Sequence, residues 1–416
     1  MKFGTDFTRL WTAGAVSMLG DGMFVAAMPL LAASLSSDPR KVALVATFAG
    51  LPWLFLSLPA GALADRLDRR RLILAAQSVQ LLIVPVLALL AATHMATIWM
   101  LCALAFSLSS AETVFRAASE AVLPAVVAKE HLVAANSRQQ ASTFITEESL
   151  GPPAGAALFA VSASLPFWVD ALTFLASLAL IARIRPRAQF RPRAIRPSMR
   201  ADLLTGLRWL RGNQLIRTLV GLAALANFTT FMALSTMVLF AQQKLHLDKA
   251  GYGLLVSGMA IGGVVGSLLS RRVVSTLGLR TTVRLLPLLA PLVFLTVGLL
   301  ARNTILVGAL LAVSGFALSL WNVVSFTLRQ VCVPTELLGR VGGAAKTISF
   351  GVGPLGSLTG GLVAHQWGLA APWVVAGGVR LVLVLVAVPT LGTATDAVLT
   401  PGVQELGASA PSAPTR

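Results

Sequence analysis

The chain is predicted to be an all-α integral membrane protein whose twelve transmembrane helices form two pseudo-symmetric six-helix bundles. Three observations predict it. Of 416 residues, 56% are hydrophobic and 12% charged, and the mean hydropathy is +0.81, values outside the range of soluble domains. Runs apolar enough to cross a hydrocarbon core of ~30 Å recur twelve times, at about 10–34, 42–64, 72–93, 97–120, 139–162, 165–184, 216–241, 252–274, 281–301, 304–328, 341–364 and 371–392. The two sets of six also repeat: Gly61-x-Leu63 returns as Gly266-x-Leu268, Pro124 as Pro334, and Gly151-Pro152 as Gly353-Pro354, at offsets of 205, 210 and 202 residues. Parallel halves of this kind place a solute site near the bilayer midplane.

A net charge of +17 and a pI near 11.6 would suggest a nucleic-acid partner in a soluble chain. Here the cations alternate by loop. Arg66, Arg69, Arg70, Arg71, Lys129, Arg138, Arg271, Arg284, Arg340 and Lys346 fall on one side, and Arg40, Lys41, Lys244, Lys249 and Arg302 on the other. Insertion topology and anionic lipid account for the pattern, so no nucleic acid is expected, and both termini are expected on the cytoplasmic side of the cell membrane. The first apolar run is longer than a signal-peptide core and is expected to be retained as a helix.

The organisation expected is an N-terminal six-helix bundle over 1–184, a basic cytoplasmic linker over 185–215, a C-terminal six-helix bundle over 216–392, and a disordered cytoplasmic tail over 393–416. From Asp202 onward the linker sets Leu203, Leu207, Trp209 and Leu210 among arginines at near-helical spacing, as in a helix lying on lipid. The tail has too little apolar surface to fold. Cys102 and Cys332 fall within apolar runs, so neither a disulfide framework nor a metal site is expected, and no cofactor.

Between the second and third runs, eleven residues from Gly61 to Arg71 turn the chain, and Asp65 there can pair with arginine or cap a neighbouring helix. Gly61-x-Leu63-Ala64-Asp65-Arg66-x-x-Arg69-Arg70 resembles the loop signature between helices 2 and 3 of the major facilitator superfamily, with Asp68 where that signature has glycine. Gly151-Pro152-Pro153-Ala154-Gly155 is similar to the superfamily's antiporter signature. Phe115, Ala135-Asn136-Ser137, Phe167-Trp168-Val169-Asp170 and Pro334-x-Glu336-Leu-Leu-Gly-Arg340-Val together resemble a branch of twelve-helix bacterial exporters of macrolides, other drugs and siderophores. The resemblance covers all but the tail. It implies the major facilitator fold, a cavity lined by helices 1, 4, 7 and 10, and proton antiport in which substrate leaves as protons enter. It also implies a sealing role for Gly151, Pro152 and Gly155 that favours exchange.

The repeat sharpens the search for chemistry. Asp21 aligns with Asn227, Glu112 with Asn322, and Glu147 and Glu148 with Ser349 and Phe350. The first half keeps acids where the second has neutral residues. A carboxyl group within a membrane is costly when ionised and so exchanges protons, whereas an amide keeps the hydrogen-bonding shape without the proton. Proton coupling is therefore expected at Asp21, Glu112, Arg116, Glu147 and Glu148, the alternative being permanent ion pairs that lock helices together. Glu112, Arg116 and Glu120 share one helix face at i, i+4 steps; Glu120, nearer the interface, is expected to be structural.

Trp11, Trp99, Trp168, Trp367 and Trp373 lie near run ends and suit an interfacial belt. Trp53 and Trp321 lie inside their runs, where an aromatic face either stacks on an amphiphilic or cationic solute or simply packs. The expected substrate-binding set is Asp21, Trp53, Asn227, Trp321 and Asn322. So few polar groups suit a bulky, partly apolar small molecule. Arg380, near the centre of the last run, needs a partner or a water path and is expected to form a structural pair; Lys346 can snorkel. No P-loop spacing occurs and no nucleophile–base pair can be assembled, which excludes an ATP-driven pump and an enzyme. The expected function is proton-coupled export by a monomer. The alternative is a proton-independent facilitator, or an importer of a small organic solute.

Overall fold

The computed structural model describes residues 4–127, 131–184, 199–300, 303–334, 337–387 and 389. Linker residues 185–198, Glu336 and the tail lie outside the described residues, as do the side chains of Asp65 and Glu120. In chain order the helices are α1 (Thr5–Leu35), α2 (Pro39–Phe55), α3 (Ser57–Arg66), α4 (Arg69–Ala92), α5 (Ile98–Val126), α6 (Leu132–Ser142), α7 (Gly151–Val161), α8 (Leu165–Ala182), α9 (Met199–Gly212), α10 (Gln214–Leu234), α11 (Met237–Gln243), α12 (Lys249–Leu277), α13 (Leu279–Leu300), α14 (Thr304–Cys332), α15 (Leu338–Gly351), α16 (Gly353–Trp367) and α17 (Ala371–Ala387). A π-helical segment, Thr143–Leu150, joins α6 to α7. Among the described residues there is no strand.

Nine helices among the described residues are long and apolar enough to cross a membrane, with α10–α11 and α15–α16 each counted as one. The other three predicted spans are the irregular ones. The second parts into α2 and α3 at Leu56, because Pro59 has no N–H for the carbonyl of Phe55. The fifth is α6, the π segment and α7; the twelfth is the shorter α17.

Polar residues before the helices cap them: Asp38, Asp68, Thr97, Asn213, Asp248 and Asn303 each accept a backbone N–H of the first turn. This explains the aspartate in place of the signature's glycine. Asp68 is extended, at φ −62° and ψ 113°, and its carboxylate accepts the N–H of Arg71 at 3.0 Å. The turn needs an N-cap and no left-handed residue. Arg69 Nε donates to the carbonyl of Ala64 (3.2 Å) and Arg70 Nη2 to that of Ala182 (2.7 Å), which ties the turn to the end of α8, while Arg66 is exposed.

The expectation for α9 needs correction. The helix lies against α15: Leu210 is buried in the apolar cluster that holds Val341 and Ala345, and Trp209 packs on that cluster. Gly206 makes the approach possible, since a methyl there would meet the carbonyl carbon of Arg340 at 2.8 Å. Much of the stripe assigned to lipid thus covers protein, and Leu204 remains exposed.

Trp373 also departs from the interfacial belt. It is wholly buried, with its ring centroid 5.9 Å from Phe240 and 5.3 Å from Phe294. Nearness to a helix end sets depth in the membrane but not which way a side chain points.

The apolar clusters show how the halves meet. One large cluster draws on both, from Met28, Leu30, Phe159 and Phe174 to Phe240, Phe294 and Trp373. There α2 packs on α16 and α7 on α12, Lys249 Nζ lies 5.2 Å from the Phe159 ring centroid, and His365 Nδ1 lies 3.6 Å from Asp38 Oδ1. Toward the end that bears the α3–α4 turn, the halves keep separate clusters, around Phe115 and Ile181 in one and Leu219 and Val341 in the other. A cleft opens between them.

Candidate functional site

That cleft is a cavity of about 910 Å³, walled by α1, α2, α5, α6 and the π segment on one side and by α10, α15 and α16 on the other. Trp11, Trp53, Phe115, Phe231 and Phe350 give it aromatic walls; Arg116, Glu148, Lys346, Asn136, Gln139 and Gln140 give it polar ones. It is large enough for a drug-sized molecule. Of the expected binding residues, Trp53 lines it. Asp21 and Asn227 are not among the residues that line it; Asn227 Nδ2 donates to the carbonyl of Ser349 (2.8 Å).

Trp321 and Asn322 are placed elsewhere. Trp321, 7% exposed, faces a separate small cavity within the second half, and Asn322 is exposed on α14 outside the walls of the cleft. An aromatic inside a span has the whole helix circumference open to it, and α14 turns this one toward α10 and α13. Trp11 moves the other way, from the expected belt into the cavity wall, with the Arg138 guanidinium 4.0 Å from its ring centroid.

The π segment builds the charged part of the site. Pro152 and Pro153 lack the N–H groups that would close α-helical bonds to Glu148 and Ser149. The register slips, and the Gly151 N–H reaches back five residues to the carbonyl of Thr146. Glu148 thereby lines the cavity, and Glu147 turns to α5, where its Oε1 accepts from Arg116 Nη2 at 2.6 Å. Glycines permit the close packing this needs. A methyl on Gly151 would lie 2.5 Å from Gly22 Cα, and one on Gly155 2.6 Å from Met23 Cα.

Arg116 is the hub. Its Nε donates to Glu112 Oε1 at 2.5 Å, one turn away on α5, and Gln80 Nε2 on α4 donates to Glu112 Oε2 at 2.9 Å. The guanidinium also lies 5.9 Å from the Trp53 ring centroid. Asp21, on α1, interacts electrostatically with Glu112, Glu147, Asp170 and Arg116, and its Oδ2 is buried without a hydrogen-bond partner, as is Glu147 Oε2. The arrangement therefore brings all five expected coupling residues to one place beside the cavity.

Two neighbours of the cluster were given no role in the sequence reading, Asp170 appearing there only within the branch motif. Asp170 on α8, 1% exposed, accepts from Thr173 Oγ1 at 3.2 Å and faces Gly20, where a methyl would collide with its carboxylate. Gln80, wholly buried, anchors Glu112. Both sit on apolar helices at positions a repeat search skips, and the signal available was simply a polar residue inside an apolar run. Among the described residues no group of His, Cys, Asp and Glu could hold a metal.

Comparison with known proteins gives the same architecture. The chain is 28% identical over 400 residues to the multidrug efflux pump Tap of Mycolicibacterium fortuitum, covering 91% of this chain and 92% of that protein. It is 22% identical over 394 residues to macrolide efflux protein A of Streptococcus pyogenes, covering 92% and 95%. Its fold matches that of the nucleoside transporter NupG (TM-score 0.74, 12% identity, 93% of this chain and 99% of that one). It also matches a bacterial homologue of the iron transporter ferroportin in its inward-facing state (TM-score 0.72, 15% identity, 93% and 100%). Residues 4–397 match the family described as transmembrane secretion effector. With the spans, the paired halves and the intervening cavity, that match establishes that the chain belongs to the transmembrane secretion effectors, a transporter family of the major facilitator superfamily.

Proposed function

We propose that the protein exports a bulky, partly apolar small molecule across the cell membrane in exchange for protons, by alternating access. The aromatic, drug-sized cavity and the efflux activity named for its relatives support export of such a solute. The positive-inside pattern puts the α3–α4 turn and both termini in the cytoplasm, so the cleft faces the cytoplasm and the shared apolar cluster closes the outer end.

The observation that carries proton coupling is the single guanidinium among several acids. With Asp21, Glu112 and Glu147 all ionised around Arg116, the cluster holds excess negative charge in a poorly solvated site. Three carboxylates against one guanidinium leave two negative charges in excess; each bound proton lowers that excess by one, and its release restores it. Arg116 also lines the cavity beside Trp53, 5.9 Å from that ring's centroid, so a solute stacked on Trp53 meets the same guanidinium that holds Glu112 and Glu147. Solute and proton thus compete for one arrangement of charges, the differential interaction that exchange requires.

The test uses everted membrane vesicles that accumulate a fluorescent amphiphilic dye or a macrolide. Uptake should require an imposed pH gradient and collapse with an uncoupler. Asp21→Asn should insert normally, bind the solute and lose gradient-driven accumulation. Accumulation unchanged by uncoupler would assign a proton-independent facilitator, and unchanged transport by Asp21→Asn would remove Asp21 from coupling.

A further inference from the structure

The second half carries a buried cation that the transport cycle above does not use. Arg380, on α17, is only 9% exposed, and a guanidinium cannot shed its charge inside a protein. Among the described residues its ring partner is Phe294, whose centroid lies 5.7 Å from the guanidinium carbon. No hydrogen bond or ion pair joins it to a described residue. Over residues 216–387 the sequence offers two acids: Asp248, spent on capping α12 at 2.7 Å from the Gly251 N–H, and Glu336, outside the described residues. The structural pair expected for Arg380 is therefore absent among the described residues, and the charge faces a cavity.

That cavity has room for about 20 Å³ and is walled by Leu222, Ala226, Leu286, Pro287 and Trp321 beside Arg380 itself. It accepts one body of about water size, too little for a carboxylate-bearing solute or a phosphate. Seven residues before Arg380 on α17, Trp373 holds a second buried donor, Nε1, that has no acceptor, and its ring packs on the same Phe294 ring that Arg380 approaches. We infer that this cavity is a site for a small monovalent anion of the halide class, chloride in the cell, which serves as counter-charge to Arg380 and fastens α17 to α10, α13 and α14. The rival occupant is a water held by the carbonyls of Val283 and Pro287, which Pro287 and Pro291 leave without helical donors.

Purified full-length protein in neutral detergent, unfolded thermally in sodium chloride, bromide or gluconate at equal ionic strength, separates the two. Chloride and bromide should raise Tm saturably over gluconate, by about 2 °C or more, and Arg380→Met should unfold at one temperature in all three salts. Equal Tm values for the native chain in chloride and gluconate would overturn the inference, as would an undiminished chloride effect in Arg380→Met. Should that variant not fold, crystals of the native protein grown in bromide serve instead: an anomalous peak beside the guanidinium is expected, and its absence there refutes the site.

Discussion

Arg116 satisfies two carboxylates at once, at 2.5 and 2.6 Å, with side chains between 13% and 28% exposed. Removing one member of a buried ionic group leaves the others uncompensated, which typically costs about 3 kcal/mol or more. Arg116→Gln is accordingly expected to lower thermal stability clearly, and the triple variant Arg116→Gln, Glu112→Gln, Glu147→Gln to recover much of it without recovering transport; thermal unfolding beside vesicle uptake checks both. A different residue sets pH behaviour outside the membrane. Hydrogen bonds from the Arg40 guanidinium hold the Asp38 carboxyl below its ordinary value. A carboxyl whose folded value is depressed stabilises the fold above its unfolded value, near pH ~4, and loses that contribution as pH falls through the folded value. Asp38→Asn keeps the N-cap and removes the charge. Its Tm should therefore fall below that of the native protein at pH 7, with the gap closing as pH drops below about 4.

Among the elements, the π segment decides the site. Restoring donors with Pro152→Ala and Pro153→Ala should let the α-helical register continue, rotate Glu147 away from Arg116 and abolish coupled transport while insertion persists. Gly155→Leu is expected to fail more severely, since Met23 backbone occupies the space a side chain would need. This element also marks where sequence reading stops. The Glu112–Arg116 pair was legible as one of two, because i, i+4 spacing on one helix sets both Glu112 and Glu120 within reach of Arg116. The Arg116–Glu147 contact was not, because 31 positions and a slipped register separate the partners. The twelve spans were likewise written in local pattern, whereas Asp68's role as an N-cap emerged only from the structure. The directions of Trp321, Trp373 and Trp11 depended on neighbours that only the assembled bundle supplies.

Over the whole molecule, the two halves touch through glycines at the closed end. A methyl on Gly361 would lie 3.1 Å from the carbonyl oxygen of Pro39, and one on Gly253 3.1 Å from Pro153 Cα. Bulk at either position wedges the halves apart there. Gly253→Leu and Gly361→Leu are expected to insert and to bind solute from outside, with net transport lost; distances between spin labels on α2 and α16, and on α7 and α12, should lengthen at that end.

The apolar cluster common to both halves also implies a thermal signature. Under alternating access it must be split and wetted once in every cycle, and wetting apolar surface raises heat capacity. The stroke that opens the outer end should therefore show a curved Eyring plot, steepest at high temperature, whereas solute entry through the already open end, which splits no such contact, should stay close to linear.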